Sequence, residues 1–115
     1  MTLASAGTTT IASVAIADDT RYRLSWQFTL RDTGNGWCLG MIAATVTRSS
    51  GGAPVIKGIN NGPPTTNEIV NVSNVAMAVN PIANTVELQV TTTSNAHVKA
   101  EAQAFVDSLL FTAAT

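Results

Sequence analysis

Charge is scarce in this chain. Lys, Arg, Asp and Glu make up 11% of its 115 residues, against roughly a quarter of an ordinary soluble domain, so Thr, Ser, Asn, Gln and Ala must supply much of the surface. The net charge of -1 gives little self-repulsion, and a near-neutral surface favours association. The six basic residues, Arg21, Arg23, Arg31, Arg48, Lys57 and Lys99, are spread along the chain. They do not form the dense basic footprint that a phosphate backbone requires, and no nucleic-acid partner is expected.

Cysteine is nearly absent as well. With Cys38 alone, the chain can form neither an internal disulfide nor a multi-cysteine metal cage. Aromatics, at 5%, give little material for a sugar-binding cleft. Long apolar runs are missing: none reaches the roughly 18 residues of a membrane span, and no membrane partner is expected. The start of the chain, with no Lys or Arg before Arg21 and with Gly7 and Thr8-Thr9-Thr10 interrupting it, does not read as a signal peptide. What remains is a hydrophobic fraction of 45% with a mean hydropathy of +0.22, enough to bury one core and far from disordered composition. One domain over residues 1–115 is expected.

Period two dominates. In Arg23-Leu24-Ser25-Trp26-Gln27-Phe28-Thr29-Leu30-Arg31 apolar and polar residues alternate without a break, the mark of a half-buried strand. Val86 to Thr91 and Val98 to Asp107 repeat the pattern, whereas Leu39 to Val46 and Val75 to Val79 are apolar on both phases. Such runs suit strands covered on both faces, one cover being an opposing sheet and the other a neighbour. Turn chemistry separates the runs at Thr33-Gly34-Asn35-Gly36, Ser49-Ser50-Gly51-Gly52, Asn60 to Pro64, Asn80-Pro81 and Thr93-Ser94-Asn95. Ala100 to Leu110 also contains good helix formers, but its alternation and the preceding turn favour a strand in hairpin with Val86 to Thr91. The expected fold is all-β, a single antiparallel sandwich or jelly roll of about seven to eight strands. Trp26, Phe28, Leu30, Leu88 and Val90 are its expected core, and Met1 to Thr10, with no evident strand partner, is a candidate N-terminal arm.

Each residue with chemical potential has a plainer role to set beside it. Asp32-Thr33-Gly34 is the tripeptide of aspartic proteases, in which two aspartates share a proton. Arg31 before it and Asn35-Gly36 after it make a hairpin turn the better reading. Cys38 and His97 lack a recognisable nucleophile context, so a core or interface cysteine is expected. Of the seven acids, Asp18, Asp19, Asp32, Glu68, Glu87, Glu101 and Asp107, none has the aromatic surroundings of a glycosidase pair, and Asp18-Asp19 reads as a turn rather than a calcium site. No catalytic residue, metal or cofactor is expected. Trp37, near a loop, either stacks on a sugar or partner or closes the end of the sandwich. Phe105 interrupts the polar phase of its strand among Lys99, Glu101, Gln103 and Asp107, and is expected to be covered by another subunit or by the arm. Trp37, Phe105, Thr8, Thr9, Thr10 and Ile11 are therefore the candidate contact residues.

As a whole the chain resembles small β-sandwich domains of bacteriophage structural proteins, found in tail fibres, spikes and head-decorating proteins. The likeness is an order of elements: Trp26-Gln27-Phe28-Thr29-Leu30-Arg31, then Gly34-Asn35-Gly36-Trp37, a strand to Arg48 with Ser49-Ser50-Gly51-Gly52, Pro54-Val55-Ile56-Lys57-Gly58 with a long loop, the Val75–Val79 and Val86–Thr91 hairpin, and a last strand from Val98. Those relatives often carry a Gly at the final hairpin and a Trp in the last strand, where this chain has Thr92 to Asn95 and Ala100. The resemblance implies a non-enzymatic virion protein made in the host cytoplasm, commonly a homotrimer, bound to major capsid or tail proteins. A start at Met1 and an end soon after the last strand suggest a complete small protein, favouring a capsid decoration or cement protein. The competing expectations are a tail fibre or spike module that binds a receptor or glycan, and an aspartic protease.

Overall fold

The computed structural model describes residues 2–3, 6–32, 36–60, 66–67, 72–93 and 98–108. They form nine strands and no helix: β1 (Thr2–Leu3), β2 (Gly7–Ala15), β3 (Thr20–Arg31), β4 (Trp37–Arg48), β5 (Val55–Asn60), β6 (Thr66–Asn67), β7 (Val72–Asn80), β8 (Thr85–Thr92) and β9 (Val98–Ser108). The larger sheet has the order β1-β9-β3-β4-β5, with β6 also on β4, and the smaller has the order β2-β8-β7. Every pairing is antiparallel. The chain is all-β and sandwich-like, as its alternation implies.

The core lies between the two sheets. From the larger sheet come Leu24, Trp26, Phe28 and Leu30 of β3, Cys38, Ile42, Ala44 and Val46 of β4, and Val98 and Ala100 of β9. Val86, Leu88 and Val90 of β8 and Met77 of β7 meet them from the smaller sheet. The expected core residues Trp26, Phe28, Leu30, Leu88 and Val90 are all buried. Period two alone places them, since one phase of each strand must leave water. Gly40 is where the fit is tightest: a Cβ there would lie 2.6 Å from Cζ of Phe28, directly across the β3–β4 ladder.

Two expectations are corrected. Residues Val86–Thr91 and Val98 onward do not form a hairpin: β8 pairs with β2 and β7, while β9 pairs with β3 and β1, so the chain crosses from one sheet to the other between them. The start of the chain is not an arm without strand partners, because Thr2–Leu3 pairs with β9 and Gly7–Ala15 pairs along β8.

Arg48 ties the turns together where β2 leads into β3. Its Nη1 donates to the carbonyl of Ile16 at 2.8 Å and its Nε to the carbonyl of Gly52 at 2.7 Å. Asp18 lies 3.8 Å from the guanidinium and accepts a hydrogen bond from the Gly51 N–H at 2.8 Å. The Asp18-Asp19 pair is thus a turn, with Asp19 at a φ of 53°.

Candidate functional site

Strand β4 carries apolar residues on both phases, and its two phases have different fates. Cys38, Ile42, Ala44 and Val46 point into the core. Trp37, Leu39, Met41 and Ala43 fall on the opposite phase, the outer face of the larger sheet, directly across from Arg31, Thr29, Gln27 and Ser25. Trp37 is 38% exposed and Met41 49%, and among the described residues no strand lies over this face. Phe105 joins it from β9: Ser25 pairs with Ala43 on one side and with Phe105 on the other. The result is an apolar stripe along β4 with Phe105, 42% exposed, beside its far end.

Charges frame the stripe. Arg31 lies over the Trp37 ring, its guanidinium carbon 4.9 Å from the centroid, an arrangement that holds the indole and covers one of its two faces. Lys99 is opposite Arg31, Glu101 opposite Thr29 and Asp107 opposite Arg23, all on β9. Between β3 and β9 runs an open depression of about 430 Å³ lined by Gln27, Thr29, Glu101, Ala102 and Gln103. Its lining is polar and holds one titratable side chain, so it offers hydrogen bonds rather than a proton-transfer pair.

The outer face of the smaller sheet differs. Thr8, Thr10, Asn74, Asn80, Gln89 and Thr91 are polar and uncharged, and Glu87 is the one ionisable group on β2, β7 and β8. Its carboxylate accepts from Thr10 Oγ1 at 3.0 Å, Asn80 Nδ2 at 3.2 Å and Gln89 Nε2 at 3.2 Å. These donors, Asn80 first, hold the carboxyl below its ordinary pKa. The cross-strand pair Thr8 and Thr91 is joined through its hydroxyls at 2.8 Å.

Each candidate contact residue can now be placed. Trp37 does not close the end of the sandwich; it lies on the outer face. Phe105 is on the same face and 42% exposed. Thr8 and Thr10 belong to the polar face of the smaller sheet, Thr9 pairs with Val90, and Ile11 packs against the core. The structure therefore brings Trp37 and Phe105 to one face and leaves Thr8 to Ile11 elsewhere. Sequence reasoning expected a neighbour over one phase of Leu39 to Val46 but did not name Met41 and Leu39 as contact residues.

The residues weighed for catalysis take structural positions. Asp32 Oδ1 accepts from the Gly36 N–H at 2.8 Å and the Asp32 N–H donates to the Gly36 carbonyl at 3.0 Å, closing the β3–β4 turn. Cys38 is buried, and that burial pushes its thiol pKa up, away from the reactive thiolate. His97 lies outside the described residues. Among the described residues no three His, Cys, Asp or Glu side chains gather as a metal site. In comparisons with known proteins, no family model and no curated protein matches this sequence.

Proposed function

We propose that this chain is a non-enzymatic structural component of a bacteriophage particle, a decoration or cement protein that stabilises the shell through subunit contacts. The observation that carries the reading is the apolar stripe Trp37, Leu39, Met41 and Ala43 with Phe105 on the outer face of the larger sheet. An antiparallel sheet that faces water presents polar residues on that phase, and an exposed apolar patch with a polar rim marks a contact surface. Low charge makes the rest of the surface easy to desolvate, and the order of strands and turns that resembles phage structural domains points to the virion as the setting. Self-association and binding to a major capsid or tail protein are the partnerships this composition serves.

Trp37 favours one second reading, a tail fibre or spike module that binds a glycan. Its ring is exposed, as stacking on a sugar needs, yet Arg31 already occupies one face. Co-sedimentation of the purified chain with particles that lack it separates the readings. The chain should saturate the particles, and Met41→Asp, at the centre of the stripe, should weaken binding about tenfold, which is about 1.4 kcal/mol, without lowering the melting temperature. Failure to bind particles together with retention on a glycan array would replace the first reading by the second.

A further inference from the structure

We propose that two copies of this chain pair edge to edge through β9, antiparallel about a twofold axis at Phe105, to form one continuous sheet. The proposal deepens the reading of a protein that acts by subunit contacts and rests on it for the purpose the pair would serve.

Among the described sheet edges, β9 and the Asn74–Asn80 part of β7 are the long stretches in unbroken register, and of the two β9 exposes large apolar side chains. An open strand edge is a template for another strand, and proteins blunt such edges with bulges, short strands or proline. Strand β2 shifts register between Thr10 and Ala12, β5 against β4 between Ala43 and Thr45, and β7 between Val72 and Asn74. Strands β1 and β6 are two residues long. Strand β9 has none of these three devices; its edge is marked by charge alone, at Lys99, Glu101 and Asp107. It keeps unbroken register with β3 from Lys99 to Ser108 and contains no proline. On its other side β1 pairs only with Val98 and Lys99, and among the described residues no strand pairs there from Glu101 to Asp107.

The same stretch exposes apolar side chains on both of its phases. Phe105 on the outer phase is 42% exposed and Val106 on the inner phase 43%. A strand added at this edge covers both at once, because its side chains flank β9 on each face.

For a second copy, charge and the position of β1 choose the register. Centring an antiparallel β9 pair on Gln103 puts Asp107 opposite Lys99, where β1 already lies. Centring it on Ala104 sets Glu101 opposite Asp107, and like charges directly opposite destabilise a sheet. Centring it on Phe105 leaves β1 untouched and places Phe105 beside its twin, Gln103 opposite Asp107 and Ala104 opposite Val106. The paired stretch, residues 102–108, then joins β5, β4, β3 and β9 of each copy in one sheet. The axis is perpendicular to that sheet, so both apolar stripes face the same way and can engage one larger surface together.

Sedimentation velocity on the unmodified chain at micromolar concentration should give a dimer. Phe105→Arg, which sets two like charges across the axis, should give a monomer with unchanged circular dichroism. In a Cys38→Ala background, a short bis-maleimide should link two copies of Phe105→Cys, whose facing Cβ atoms lie about 5 Å apart. It should not link Gln103→Cys, whose two copies are then four residues out of register, about 13 Å. A monomer or trimer of the unmodified chain, or linking at Gln103 instead of Phe105, would overturn the pairing. A dimer that binds no particle keeps the pairing and removes the functional reading, whereas a monomer that binds particles does the reverse.

Discussion

The contact between Gly40 and Phe28 shows how closely two facing strands are fitted. The Phe28 ring occupies the space in which a side chain at position 40 would stand, so Gly40→Ala forces the ring or the β4 backbone to move. Overpacking of this kind costs about 1–3 kcal/mol, and the urea midpoint should fall accordingly. Phe28→Leu should be better tolerated in the Gly40→Ala background than in the unmodified chain, because the two sites are coupled through one volume. Equal costs in both backgrounds would show that the ring does not lie over Gly40. Phe28 was legible in the sequence as core from its place on the apolar phase of β3. The need for glycine opposite it was not, because it depends on which residue of β4 faces Phe28, and register is a tertiary fact.

At the scale of the element, alternation told which phase of a strand is buried but not which strand lies beside it. Strand β3 and strand β9 were readable almost to their ends. Their pairing was not, since Thr93-Ser94-Asn95 has turn composition whether the chain returns within one sheet or crosses to the other. Strand β2 was hidden for a different reason. Its inward positions are Gly7 and Thr9 before the register shift and Ala12 and Val14 after it, so the bulge moves the buried phase by one residue and erases period two. The β-branched run Thr8 to Ile11 was the remaining signal. This strand also helps hold Glu87, through Thr10, and the element has a pH signature. A carboxyl whose pKa is lowered on folding contributes stability above its unfolded value, near 4.3, and loses it as pH falls through the folded value. An NMR titration of the Glu87 side chain should therefore show a midpoint below the ordinary one, and Thr10→Ala should raise it. A midpoint at or above the ordinary value would mean that the three donors do not hold the carboxylate in solution.

The whole molecule is a sandwich whose two outer faces are built for different surroundings. The smaller sheet presents hydroxyls, amides and the small side chains of Ala15, Ala76 and Ala78 around one carboxylate. The larger sheet presents Trp37, Leu39, Met41 and Phe105 among Arg31, Lys99, Glu101 and Asp107, and it carries the regular open edge of β9. Scarcity of charge, visible in composition, suggested association, and the two-phase apolar run of β4 suggested a neighbour; the assembled sheets put the second phase of that run on the outer face of the larger sheet. On these features we propose for the chain a stoichiometric place in a particle. Quantitative mass spectrometry of purified phage particles from the source that encodes it tests this most directly. The chain should be present at a fixed ratio to the major shell protein, and that ratio should drop in particles carrying Met41→Asp. Its absence from purified particles, with the chain abundant in the producing cells, would contradict the account.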